Sequence, residues 1–392
     1  MNFFEIEGRK IGGGQPTYFI ADIAANHDGD LEKAKDLIYS CAEAGAHAAK
    51  FQNFEAHSIV SDHGFKSLQG KLSHQAAWKK SVYEVYKDAE LPMDWTETLK
   101  ETCKKAGVHY FTSPYSPEII DAISPYVSAW KMGSGDITWH DAIQHMAKTD
   151  KPFILSTGAC DVKEVKAAVK KALECTKDFA LLQCNTNYTA NSNEDRSKAL
   201  ARMKSINLKV LSTYKKEFPD IVLGLSDHTL GHTTVAGSVG LFDAKIIEKH
   251  YTLDNSSEGP DHPFSMNPKT WKEMVDITNI IEEQLSENLS FEERLSIIKP
   301  YIDLEELTNA LGDGIKRVED NEKETVKLQR RGICACKDLP VGHTILDGDL
   351  IPLRPQLEGC YLPYQEDELI GKKLKNKKVF GEAIFKEDIA NG

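Results

Sequence analysis

The chain has 392 residues, 41% of them hydrophobic, and a formal net charge of −12. That length carries two domains, or one large barrel with an appendage, and the hydrophobic share fills a full core. The acidic balance argues against a nucleic-acid partner, and it leaves an anionic substrate only where Lys and Arg cluster locally.

The start, MNFFEIEGRK, lacks the basic-then-apolar pattern of a signal peptide, and no run approaches transmembrane length. Residues 3–16 read as a short hairpin closed by Gly12-Gly13-Gly14. TYFIADIAA (17–25) is a nearly continuous apolar run of buried-strand type. Asp30 then caps a helix whose stripe is Leu31, Ala34, Leu37, Ile38, Cys41 and Ala42, with Gly45 as its stop. AHAAKFQNF follows as a second strand, completing a strand–helix–strand unit.

The pattern repeats. VHYFTSPY, SAWKMGSGD, PFILSTGA, FALLQCNT, IVLGLSDHT and KIIEKHYT each precede a helical stretch, the longest at roughly 196–217 and the last beginning at Pro268. Eight strands alternate with helices between residues 17 and 284, the size of a (β/α)8 TIM barrel. An open doubly wound sheet usually carries a Gly-rich nucleotide loop after its first strand, and none is present. The long connection 55–93, with a helix around 73–88, reads as a lid or substrate wall, or equally as a surface elaboration.

The composition changes twice beyond the barrel, giving the division 1–284 barrel, 285–328 linker and 329–392 small domain. The middle segment is highly charged, a helical linker ending in an extended arm. The last is a β-rich unit with turns at Pro340-Val341-Gly342 and Asp347-Gly348, helped by packing on something larger. Eight scattered cysteines without a CxxC pair read as reduced thiols in a cytoplasmic protein.

Barrel chemistry belongs at the C-terminal strand ends. The polar residues there include Asp22; Lys50 and Gln52; Ser113; Lys131, Ser134 and Asp136; Ser156; Asn185, Thr186 and Tyr188; Ser226, Asp227 and His228; Glu248 and His250. Asp261 lies in the acidic loop that follows. His228 and His250 end two neighbouring strands, suited either to a divalent ion or to ordinary structural roles. A lysine inside an apolar strand is costly to bury alone. Lys50 and Lys131 therefore sit in ion pairs with Asp22 or Asp136, or face a ligand carrying carboxylate and phosphate. Either would also serve a Schiff base, but two histidines beside an acidic loop favour a Lewis-acid ion such as Mn²⁺ or Mg²⁺.

ADIAANHDG, KFQ, KMGSGD, ILSTGA, GLSDHT, EKH and GPDHPFSMNP, in that order, resemble the sialic acid synthase family over essentially the whole chain. The resemblance implies a metal-dependent condensation of phosphoenolpyruvate with N-acetylmannosamine or a related acetamido sugar, releasing phosphate by C–O cleavage. It implies metal ligands at His228 and His250, with Asp227, Glu248 and His262 in support. Lys50, Ser113, Lys131, Ser134, Ser156 and Ser226 would hold the carboxylate and phosphate, with Asp22 and Asp136 as catalytic carboxylates. Gln52, Tyr188 and Asp261 would lie near the sugar. The C-terminal unit is similar to the family's antifreeze-like (SAF) module. Its Arg354 would enter the active site of a partner subunit in a domain-swapped homodimer.

Three departures stand out. Asp22 and Asp136 replace the family's usual glutamates, and CNTNYT differs from the usual stretch, passing a phosphate contact to Asn185 or Thr186. These leave the acceptor open among N-acetylmannosamine, its 6-phosphate and the diacetamido-6-deoxy sugars of legionaminic and pseudaminic acid. A heptulosonate- or octulosonate-type synthase, and a non-catalytic carbohydrate-binding protein, are the rival readings.

Overall fold

The computed structural model describes residues 2–68, 80–191 and 194–390. Strands β1 (Phe3–Ile6) and β2 (Arg9–Gly12) form an antiparallel hairpin. The chain turns at Glu7 and Gly8, both at positive φ, and not at the later glycine triplet. Alternation puts Phe4, Ile6 and Ile11 on one face, which joins the barrel lumen and stoppers its N-terminal end.

Eight parallel strands follow: β3 (Tyr18–Asp22), β4 (Ala48–Asn53), β5 (His109–Pro114), β6 (Trp130–Met132), β7 (Phe153–Ser156), β8 (Phe179–Cys184), β9 (Val222–Asp227) and β10 (Ile246–His250). They hydrogen-bond in the order β5-β4-β3-β10-β9-β8-β7-β6, and the end strands β5 and β6 lie against each other, so the sheet closes into a barrel. The lumen holds Tyr18, Ile20, Phe111, Ile154, Leu182 and Ile246, while a larger apolar layer separates strands from the outer helices.

The first barrel helix, Leu31–Glu43, is capped by Asp30, which accepts from the amides of Glu32 and Lys33, and it buries Ala34, Leu37, Ile38 and Cys41. The single helix expected over 196–217 is two, Arg196–Met203 and Val210–Glu217. Asn207 breaks it by taking a φ of +55°, and its side-chain amide donates to Ile315 O at 3.1 Å. No helix among the described residues is long and apolar enough to cross a membrane.

The insertion after β4 forms helices Ala56–Ile59, Asp62–Ser67 and Val82–Asp88, the last opened by a Ser81–Glu84 capping box. The 73–79 part of the helix expected at 73–88 lies outside the described residues.

The stretch read as a linker is packed structure. Helices Phe291–Ile298 and Leu304–Leu311 lie on the small-residue helix Thr233–Phe242, and Lys323–Gln329 crosses toward the barrel mouth. Beyond it, β11 (Gly332–Ala335) and β12 (Leu350–Leu353) pair antiparallel. They share a separate small core that includes Ile333, Leu339, Ile345, Leu369 and Ile384. Val60 bridges Arg354, which fastens this unit onto the insertion of the same chain.

Candidate active site

Strand register assembles the site. Asp22 on β3 is directly opposite Lys50 on β4 and His250 on β10, and Glu248 on β10 is opposite Ser226 on β9. Lys50 Nζ stands 2.8 Å from Asp22 Oδ2 and 3.6 Å from Glu248 Oε1. Lys131 Nζ is 3.1 Å from Glu248 Oε2, which also accepts from Ser226 Oγ at 2.8 Å. The four charged side chains are all buried, and their formal charges cancel.

Burial would raise the Glu248 carboxyl, but Lys131 and Lys50 outweigh it and hold it down at about 2. Burial opposes charge on Lys50 too, yet Asp22 and Glu248 drive that ammonium above its usual range. Lys131 moves the other way: burial, helped by the Lys50 charge, outweighs Glu248 and lowers it. Of the two lysines, Lys131 gives up a proton more easily.

These groups form the floor of a cavity at the C-terminal strand ends. Gln52, Ser113, Ser134, Ser156 and Tyr188 line it with the lysines, and Asp261 and Arg354 stand at its upper wall. Ser134 Oγ accepts from Gly158 N at 2.8 Å, while Ser156 Oγ is buried without a partner. The insertion supplies an apolar side from Ile59, Val85, Tyr86 and Ala89. Its part in the cavity wall is the role a lid or wall would have.

His228 and His250 face each other, ring centroids 5.4 Å apart, with Tyr188 4.5 Å from the first and Phe264 4.9 Å from the second. Burial lowers His250 and keeps it neutral, Nδ1 has no partner, and Nε2 lies 3.5 Å from Asp22 Oδ2. Burial also acts to lower His228, but Cys184 beside it and the Asn185 carbonyl, 3.0 Å from Nδ1, raise it to about 9. Among the described residues no three His, Cys, Asp or Glu side chains form a metal cluster. The unpartnered buried nitrogen beside a second imidazole still suits a divalent ion whose remaining ligands are substrate or solvent oxygens. Behind the pair, Lys249 Nζ binds Asp227 Oδ2 at 2.5 Å and ties the two histidine-bearing strands together.

Three expected site residues do not line the cavity. Asp136 sits beneath its wall, held by Arg331 Nε at 2.6 Å and Arg354 at 3.2 Å. Asn185 and Thr186 turn away, because the segment after residue 316 takes up their polar groups: the Asn185 and Asn321 amides pair at 3.0 and 2.9 Å, and Thr186 N donates to Glu322. Arg354 reaches the barrel mouth because the C-terminal unit folds back on the insertion through Arg354 N to Ile59 O at 2.8 Å. Its guanidinium donates to Tyr86 Oη at 3.3 Å, lies over Tyr115, and leaves Nε unpartnered. Arg331 is fully buried, and sequence reasoning missed it; the only hint is a pair of arginines opening the last unit.

The chain is 32% identical over 392 residues to the N,N'-diacetyllegionaminic acid synthase of Legionella pneumophila, covering 98% of each chain. It is 27% identical over 385 residues to the N-acetylneuraminate-9-phosphate synthase of Homo sapiens, covering 98% of this chain and 96% of the human protein. Among solved structures it superposes on the spore coat polysaccharide biosynthesis protein SpsE of Bacillus subtilis with a TM-score of 0.78 and 27% identity, over 100% of this chain and 99% of that one. The NeuB family model matches residues 37–289, more than half of the chain, and the chain belongs to the NeuB family.

Proposed function

We propose that this protein is a nonulosonic acid synthase that condenses phosphoenolpyruvate with an uncharged N-acetylated amino sugar. The observation that carries the reading is the single cavity shared by Lys50, Lys131, His228 and His250. Lys50 and Lys131 take the carboxylate and phosphate of phosphoenolpyruvate, with Ser113, Ser134 and Ser156 as hydroxyl donors. A divalent cation held by His228 and His250, Mn²⁺ or Mg²⁺ by the character of the donors, would polarise the acceptor aldehyde as a Lewis acid. Gln52, Tyr188 and Asp261 orient the open-chain sugar so that C3 of phosphoenolpyruvate attacks its carbonyl carbon. Water adds to C2, and phosphate leaves with the bridging oxygen, giving a 2-keto-3-deoxy acid. Asp22, paired to Lys50, receives the water proton or holds a sugar hydroxyl. Arg354 Nε points its free N–H at the acetamido carbonyl.

An uncharged acceptor is favoured by electrostatics. Lys50 and Lys131 are matched by Asp22 and Glu248, and Arg354 shares Asp136 with Arg331. Once phosphoenolpyruvate takes both lysines, Arg354, already engaged with Asp136 and Tyr86, is the one Lys or Arg left among the described cavity residues, too little to neutralise a second phosphate. The test is a panel of N-acetylmannosamine, its 6-phosphate and 2,4-diacetamido-6-deoxy sugars with phosphoenolpyruvate and Mn²⁺. Phosphate release and product mass are the readouts. Turnover of an uncharged acceptor is expected; turnover of the 6-phosphate alone would reverse the acceptor assignment. Bridging ¹⁸O should leave in the phosphate, and its retention in the sugar acid would exclude C–O cleavage.

A further inference from the structure

The loops after β7 and β8 are held from outside the barrel. Glu322, with no exposed surface, belongs to neither strand nor barrel helix. Its Oε1 accepts from Ala159 N at 2.7 Å and from Thr186 N at 2.6 Å, and its Oε2 accepts from Glu319 N at 3.1 Å. One carboxylate therefore satisfies a backbone donor from each of two adjacent strand-end loops. The loop it grips is not in a relaxed conformation, because Ala159 has a φ of +50°. Packing is tight there too: a Cβ on Gly158 would fall 1.6 Å from Thr186 Oγ1.

Neighbouring residues of the same 313–329 stretch reinforce the grip. Lys316 Nζ donates to Cys184 O at 3.3 Å, and Thr325 Oγ1 donates to Thr186 O at 2.9 Å. Two short paths lead from these loops to the cavity. Gly158 N donates to Ser134 Oγ, and the Asn185 carbonyl accepts from His228 Nδ1 at 3.0 Å. The second bond anchors Nδ1 and so sets the orientation of the His228 ring at the cavity wall.

We propose that Glu322 is a positioning residue: its carboxylate sets the β7 and β8 loops and, through the Asn185 carbonyl, the orientation of His228. The part concerning His228 rests on the synthase reading; the loop-setting part does not. Glu322→Ala removes both amide contacts. Glu322→Gln keeps one oxygen for the two loop amides and sets its NH₂ against Glu319 N. Ile38→Ala, in the distant helix Leu31–Glu43, serves as a control for simple loss of stability.

Hydrogen exchange of segments 157–160 and 184–188 reads the positioning itself, with no need for activity. Faster exchange there is expected in Glu322→Ala and not in the control. Calorimetric affinity for Mn²⁺ alone is expected to fall by about tenfold in Glu322→Ala, less in Glu322→Gln and less than twofold in the control. KM for phosphoenolpyruvate should rise in the same order. Unchanged exchange in both Glu322 variants overturns the proposal, as does an Mn²⁺ loss no larger than the control's in a protein that binds Mn²⁺. If the unaltered protein neither binds Mn²⁺ nor turns over any acceptor, the synthase reading fails, while hydrogen exchange still decides the loop-setting role. Should Glu322→Ala not fold, Glu322→Gln carries the same comparisons.

Discussion

Lys50 and Lys131 illustrate what a single residue can announce. A lysine in a run such as AHAAKFQ or AWKMGSG is out of place in a buried strand, so residue type alone marks the site. Its partner is harder to read. Glu248 bridges both lysines, but in EKH it looks like one more polar residue beside a histidine. Only strand register decides that it faces inward while Lys249 faces outward to Asp227. His27 shows the same limit. It is buried, with Nδ1 accepting from Gly29 N at 3.1 Å, and burial lowers it to about 4 against Asp28 and Asp261. The unfolded chain takes this proton near pH 6.5 and the folded one only near 4, so the stability is complete above 6.5 and is lost as pH falls toward 4. That interval corresponds to about 3 kcal/mol. His27→Asn offers an oxygen to the same amide and cannot titrate. Urea midpoints between pH 7 and 4 should decline less steeply in the variant; equal slopes would place the acid sensitivity elsewhere.

At the scale of elements, the barrel was legible because each strand is a short apolar run followed by a helix with its own cap and stop. The segment from 285 to 328 was not, because its contacts are made by glycines. The helix TTVAGSVGLF buries nearly its whole surface, and its glycines admit neighbours where a side chain would not fit. A Cβ on Gly240 would stand 2.3 Å from Ile298 Cγ2, and one on Gly237 would stand 2.6 Å from Leu307 Cδ1. Arg294 then locks the contact by donating to Gly240 O at 3.0 Å and Asp243 Oδ1 at 2.9 Å. High charge made the segment look like a solvated tether, whereas its few apolar side chains are spent on this face. Gly240→Ala should cost about 1–3 kcal/mol through overpacking, partly offset by the roughly 1 kcal/mol that alanine gains over glycine in a helix. Ile298→Ala opens the space the new methyl needs. The double variant should be more stable than the sum of the singles predicts, by about 1 kcal/mol in chemical denaturation. Strict additivity would mean that the two helices do not meet there.

At the scale of the whole molecule, the barrel mouth is closed by the far end of its own chain. Arg331 joins the parts: Nε binds Asp136, the other nitrogens donate to Ser58 O at 3.1 Å, Pro352 O at 2.8 Å and Tyr115 O at 3.0 Å, and the guanidinium lies 4.3 Å above the Trp139 ring. Insertion, barrel and C-terminal unit meet at one buried cation, and Arg354 enters the cavity beside it. The same contacts would serve if two chains exchanged their C-terminal units, as the family resemblance implied, so the two assemblies differ in connectivity and not in chemistry. Complementation separates them. Lys131→Ala damages the barrel half of the site and Arg354→Ala the C-terminal half, and the two variants would be co-expressed so that any exchange occurs during folding. With each chain closing its own mouth, no site regains both side chains. The mixture should then show only the average of the two separate activities, with the Arg354–Ile59 and Arg331–Asp136 contacts made inside each chain. With exchange, half of randomly paired dimers would be mixed and each would hold one intact site, restoring about a quarter of full activity. Recovery at that level would replace own-chain closure with exchange between two copies, and it would leave the barrel floor of Asp22, Lys50, Lys131 and Glu248 unchanged in either chain.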